Sequence, residues 1–318
     1  MGEKMKRNAI DTMGGQAVIE GVMMRGKSHA VVSARRQDGK ITSISYPLRK
    51  HSAFLRLAFI RGVVNLIDML VIGTKALLWS AGQASDDGEE EQMGGLAVAG
   101  MLILSFGFAL VVFVAIPYLL TGFLGLVEQS EPFWFNVTDG IIRIGFFLLY
   151  IIAIARMKDI RRVFEYHGAE HMAVHCYEKG KAMTVENVKT FPRLHPRCGT
   201  SFIMIVLLIS ILFFTIVPSA VMALVPLFSE LSFWAQKGIL FAARVIFIPL
   251  IAGVSYEILR FSAKHPKSRV FALLTKPGLW MQLITTRAPD AKQIKVAIHS
   301  LKEVLRIEGH KESADDVA

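Results

Sequence analysis

Between positions 165 and 178 the chain reads EYHGAEHMAVHCYE. On a helix, His167 and His171 stand one turn apart on a shared face, so both can ligate one metal ion. Glu170 lies beside them, where a carboxylate can serve as general base toward a water. H-x-x-E-H is the inverted zincin order, which points to zinc-dependent hydrolysis. His175 continues the ladder. At 100° per residue the offsets from His167 are about 40° for His171, about 80° for His175 and about 20° for Glu178. All four share one stripe, but it runs about 16 Å at 1.5 Å per residue, too long for one ion to use both ends. The workable pairs are His167 with His171, or His171 with His175.

A second segment, HPRCGT at 195–200, adds His195 and the soft thiol of Cys198. Two arrangements follow. Two helix histidines with His195 and Cys198 make a closed, four-ligand structural site. Two histidines with one carboxylate leave a position for water and are catalytic. Glu257, in SYEILR at 255–260, is the candidate for that carboxylate. The competing reading is a histidine cluster at a membrane surface that senses pH or binds lipid phosphate.

The elements that must hold these residues are mostly membrane helices. Of 318 residues, 53% are hydrophobic and 19% charged, and the mean hydropathy is +0.45. A soluble domain is about 45–50% apolar and about a quarter charged. A disordered chain is excluded, and two cysteines make no disulfide framework. Four blocks reach the roughly 20 apolar residues that a bilayer requires: 95–127, 137–155, 201–228 and 238–256. No removable signal peptide is expected ahead of them. Arg143 and Arg244 fall inside spans and are expected to face the bundle, each with a partner. A fifth block, 57–79, carries Arg61, Asn65, Asp68 and Lys75 on one stripe, the pattern of a helix lying in the membrane plane. Charge agrees with that placement. The basic N-terminus, the stretch 156–197 and the C-terminal tail then share one side, while loops 128–136 and 229–237 hold one lysine and no arginine. The positive-inside rule puts both termini in the cytoplasm.

The expected architecture is mainly α: a polytopic helical membrane protein with about four transmembrane helices, one amphipathic in-plane helix and a small N-terminal cytoplasmic β-sheet. Segments 29–36 and 40–46 alternate around Asp38-Gly39, a hairpin signal. The stretch 14–26 reads as a glycine-punctuated strand, since no P-loop lysine follows its glycines. The acidic run 86–91 reads as a solvated linker. Asp290 with Gln293 forms a capping-box start for a helix with apolar face Ile294, Ala297, Ile298, Leu301, Val304 and Leu305, ended by Gly309. The divisions are a β-rich segment at 1–54, the in-plane helix and linker at 55–94, and two spans in 95–156. A His-rich metal segment at 157–200, two more spans in 201–259 and a cytoplasmic tail at 260–318 complete the chain.

Five stretches carry a resemblance: GGQAVIEGVMMRG at 14–26, YHGAEH at 166–171, PRCGTSF at 196–202, SYEILR at 255–260 and TTRAPDAKQIKVAI at 285–298. In this order, over nearly the whole chain, they resemble the YqhQ-like family of bacterial membrane proteins, some labelled predicted metal-dependent enzymes. The resemblance implies a bacterial cytoplasmic membrane and a metal but no substrate. Family genes often neighbour translation genes, which implies by association a place near the ribosome or the translocon. The leading expectation is a zinc-dependent membrane hydrolase, most simply a peptidase. In it His167 and His171 bind zinc, Glu170 is the base, and His175 or Glu257 completes the site. The alternative is a non-catalytic membrane factor with a structural metal. Its basic surface (net charge +10, pI about 9.6) engages ribosome, translocon or anionic lipid. DNA is not an expected partner.

Overall fold

The computed structural model describes residues 13–85, 94–225, 227–265 and 268–309; the acidic run 86–91 and Pro226 lie outside them. Four strands, β1 (Gly14–Val18), β2 (Gly21–Arg25), β3 (His29–Arg35) and β4 (Ile41–Pro47), form an antiparallel sheet in sequence order. The β3–β4 hairpin turns at the expected place, with Gly39 at φ 85, a backbone state open to a residue without Cβ. The 14–26 stretch is two strands rather than one. It reverses at Ile19-Glu20, where Glu20 takes φ 51, and sets Gly15 opposite Met24.

The helices are α1 (Ile60–Ala84), α2 (Gly95–Leu110), α3 (Ile116–Phe123), α4 (Pro132–Ile154), α5 (Lys158–Glu178), α6 (Val185–Lys189), α7 (Gly199–Leu224), α8 (Phe233–Lys264), α9 (Arg269–Thr285) and α10 (Ala291–Ile307). Side chains alternate across a strand, and here both faces of the sheet are covered. Val18, Met23, Ala30 and Val32 pack on Ala76, Met69, Ile72 and Trp79 of α1. Val22, Met24 and Val31 point the other way, into a core with Tyr166, Ala169 and Ala173 of α5 and Ile294 and Leu301 of α10. α10 starts with the expected capping box: Gln293 N donates to Asp290 at 2.7 Å, and Asp290 N to Gln293 Oε1 at 2.8 Å. The expected apolar face packs inward, with Gly309 at φ 77 just past the helix end.

This is a membrane protein. Five helices have the length and hydropathy to cross a bilayer: Ile60–Ala84, Gly95–Phe123, Pro132–Ile154, Gly199–Leu224 and Phe233–Lys264. The second joins α2 to α3 through a wide π turn at Val111–Ala115, just ahead of Pro117. The additional candidate beyond the four expected spans is α1, which packs on the sheet and adds two hydrogen bonds to that apolar contact. Its Ser80 Oγ accepts from Ile19 N (3.2 Å), and its Gln83 Oε1 accepts from Thr42 (3.3 Å). Another flank leaves Ile67, Leu70, Val71 and Leu77 exposed.

The two arginines within spans do face the bundle. Arg244 donates to Glu128 (2.7 Å), Asn136 (2.6 Å) and Asp139 (3.1 Å), and Arg143 donates to Asp139 at 2.7 Å. Inside the expected tail, α9 is a separate helix packed against α7, so closely that a Cβ on Gly278 would meet Ser201 at 2.5 Å.

Candidate metal centre

α5 carries the histidine ladder on a helix clamped in place by the segment following α9. Arg287 N donates to Phe164 O at 2.8 Å, and a Cβ on Gly168 would collide with Arg287 O. Only glycine permits that approach. It brings His167 Nδ1 to 2.8 Å from Thr285 O, while His171 Nδ1 lies 2.5 Å from Arg193 O. A carbonyl only accepts, so each Nδ1 carries a proton and Nε2 is the nitrogen through which each ring can bind a metal. A backbone acceptor on the far nitrogen is the usual support of a metal-binding histidine. Cys198 Sγ sits 3.1 Å from His167 Nε2. One ligand atom from each of His167, His171 and Cys198 lies within 4.8 Å of the others.

Glu170 completes this cluster. Its Oε2 is 3.4 Å from His171 Nε2, and among the described residues no lysine or arginine pairs with it. Gly15 N donates to the carboxylate, and a Cβ on Gly15 would fall 2.7 Å from Glu170 Cγ. The glycine of β1 is thus the roof over the acid. Glu170 is 4% and His171 2% exposed. Burial raises the Glu170 carboxyl to about 8 and holds His171 well below the usual imidazole range. Burial also pushes the Cys198 thiol up, against two hydrogen bonds from Thr200 that pull it down. A neutral ring lone pair facing a carboxyl oxygen leaves a place for positive charge, a proton or a cation.

A second group, His175, Glu178 and His195, also converges within 4.8 Å. Several of its atoms have partners. Glu178 is ion-paired with Arg197. His195 Nδ1 accepts from Arg197 N at 3.3 Å, so its proton is on Nε2, facing Glu178 at 3.8 Å. Burial lowers His195 to about 4. His175 gives Nε2–H to Leu194 O at 2.9 Å, and burial lowers its pKa too. Each group offers three potential ligand atoms close together; the first, which includes a thiol, fits a borderline divalent ion such as zinc, and in the second the carboxylate is shared with Arg197.

Glu257 is in neither group. Its carboxylate is held by Arg61 of α1, through Nε at 2.7 Å and through Nη2. The structure thus gives Glu257, expected as a possible ligand, an arginine partner instead. His175 and His195 converge with Glu178 rather than with His167. A residue not singled out in the sequence is Gln282 of α9, fully buried. It accepts from His195 N (2.8 Å) and donates to His195 O (2.9 Å) and Ser201 Oγ (3.1 Å), fixing the loop that presents Cys198. A lone glutamine in the apolar run LWMQLI was the available signal.

Fold and site together define a polytopic helical membrane protein in which a sheet-and-helix unit carries a partly buried cluster of two histidines, a cysteine and a glutamate. The chain belongs to the family described as "Protein of unknown function (DUF1385)", which it matches over residues 57–307. It is 36% identical over 324 residues to "Uncharacterized protein YqhQ" of Bacillus subtilis (strain 168), across 95% of both chains. No solved structure matches it. Neither description names a metal, a substrate or a reaction.

Proposed function

We propose that the chain is a zinc-dependent hydrolase of the bacterial cytoplasmic membrane, most simply a peptidase, with its centre at the cytoplasmic face. His167 and His171, through Nε2, and Cys198, through Sγ, are the ligands. Zinc, when bound, supplies Lewis acidity toward a scissile carbonyl. Glu170 moves the proton at Oε2, while Gly15 N–H holds the carboxylate. Three protein ligands beside an unligated acid is the catalytic pattern rather than the closed structural one. The reading rests on one observation above all: the buried Glu170 carboxyl stands 3.4 Å from His171 Nε2 and, among the described residues, pairs with no lysine or arginine; burial raises its pKa. A group titrating near neutrality both takes and gives protons efficiently. Sidedness rests on charge, since the turns 124–131 and 225–232 contain neither lysine nor arginine. Lys237, near one of them, turns inward over the Tyr118 and Phe135 rings at 4.9 Å from each.

The test is proteolysis of an unfolded substrate protein by purified, zinc-loaded protein, followed by mass spectrometry. Wild type is expected to produce fragments, and Glu170→Gln to produce none at unchanged zinc content. A second reading is favoured by the near-complete burial of His171 and Glu170. There Glu170 is a fourth ligand, the centre is structural, and the basic surface engages a ribosome, a translocon or anionic lipid. That reading expects Glu170→Gln to lose zinc.

A further inference from the structure

Away from the histidine ladder, a cavity of about 610 Å³ opens between the β1–β2 turn, the β3–β4 hairpin, the end of α1 and the first turns of α5 and α10. Its charged lining is Arg35, Arg36, Arg162, Lys292, Lys295 and a single acid, Glu20. That acid is already committed. Arg162 donates to it through Nε and through Nη2 at 2.7 Å, Tyr166 OH donates at 3.2 Å, and Arg35 Nη2 lies at 3.7 Å. Glu20 holds a left-handed backbone angle, φ 51, which a side chain tolerates only where surrounding contacts fix it. Its role is to hold two guanidinium groups side by side at the cavity wall. No acid of the lining other than Glu20 is available to the other cations; Asp38, on the hairpin, lies near Arg36 but is ion-paired with Lys40. Arg35 Nη1 is buried without a hydrogen-bond partner, and Arg36, Lys292 and Lys295 form no ion pair among the described residues.

A buried guanidinium N–H lacking an acceptor is costly, and clustered cations repel one another. An anion that accepts from several donors at once relieves both. Planar guanidinium forks match the oxygens of a phosphate, and ammonium groups add charge without demanding geometry. The volume lies in the range of small-molecule sites, too small for a folded macromolecule. Arg162 is one turn into α5, which begins a few residues after α4 ends at Ile154. The cavity therefore lies close to the end of a membrane helix.

We propose that this cleft is a phosphate site that takes a phosphoester, held by Arg35, Arg36, Arg162, Lys292 and Lys295 and organised by Glu20. It is independent of the metal centre. Two sources share this chemistry, an anionic lipid headgroup and a soluble phosphoester, and two arms separate them. In the first arm, pyrophosphate is titrated into the full chain in zwitterionic detergent and followed by calorimetry. In the second, the chain is reconstituted in nanodiscs of equal parts phosphatidylcholine and phosphatidylglycerol, and the lipid retained after detergent exchange is identified by mass spectrometry. Both are repeated with Lys292→Ala/Lys295→Ala, whose side chains are exposed, and with Lys179→Ala/Lys181→Ala as a control of equal charge. Saturable pyrophosphate binding, or selective retention of phosphatidylglycerol, supports the proposal if the first variant weakens it by about tenfold or more and the control does not. Pyrophosphate alone identifies the soluble source, and lipid alone the headgroup. No binding of either probe, or equal loss in both variants, overturns it. Zinc content should be the same in all three proteins, so failure here leaves the metal reading untouched.

Discussion

Glu170 is the residue where chemistry and packing meet, and three predictions belong to it. Glu170→Gln keeps the shape and the Gly15 hydrogen bond but removes the base, so hydrolysis should vanish while elemental analysis finds zinc unchanged. Gly15→Ala puts a methyl 2.7 Å from both Glu170 Cγ and Met23 O. Overpacking of this kind costs about 1–3 kcal/mol, to be read as a lower unfolding midpoint together with weakened zinc retention. The third concerns pH in metal-depleted protein. Glu170 folded holds its proton to about 8 against 4.5 unfolded, so between these values the folded state binds more protons. Stability from this group is present below the lower value and is lost as pH rises through the higher one. His171, held neutral, acts oppositely at the acid end. Thermal melts should show wild type losing more stability than Glu170→Gln from about pH 5 to about pH 8. His167, Glu170, His171 and Cys198 were all legible, because residue type and helical spacing bring donors together locally. What was hidden depends on distant contacts. Nothing local ties Glu257 to Arg61, 196 positions away in sequence, or Gly15 to Glu170.

At the scale of elements, the capping box of α10, the β3–β4 turn and four of the apolar helices follow from short-range pattern. Their boundaries shifted by a few residues, except that α8 runs well past the expected end at 256, to Lys264. The β1–β2 reversal was missed because Ile19-Glu20 lacks the usual turn residues, and α9 because Lys276 and Pro277 interrupt its apolar run. The arginines within spans gave the most reliable inference from cost alone: an intramembrane cation needs partners, and Glu128, Asn136 and Asp139 provide them. Asp139 serves Arg143 and Arg244 together. Asp139→Asn leaves two buried cations sharing what remains, at a cost of about 3–5 kcal/mol. The measurement is the unfolding midpoint in detergent. Lys40→Ala, which breaks an exposed pair with Asp38, should leave that midpoint where it is.

For the molecule as a whole, the design is a set of apolar helices bearing one polar unit. That unit is a four-stranded sheet pressed between α1 and the α5–α10 pair. α1 is the coupling element, since it covers the sheet and also joins α8 through Arg61–Glu257 and through Asn65, which donates to Tyr256 OH at 2.9 Å. The proposed topology puts Ser130, in the turn after α3, on the side opposite Ser28 in the sheet. A membrane-impermeant maleimide applied to intact cells should label Ser130→Cys and leave Ser28→Cys unlabelled. The central claim is the metal, and elemental analysis of purified wild type beside His171→Ala tests it most directly. The account predicts about one zinc per chain in wild type and next to none in the variant. Wild-type protein purified without chelator and free of any transition metal would contradict it.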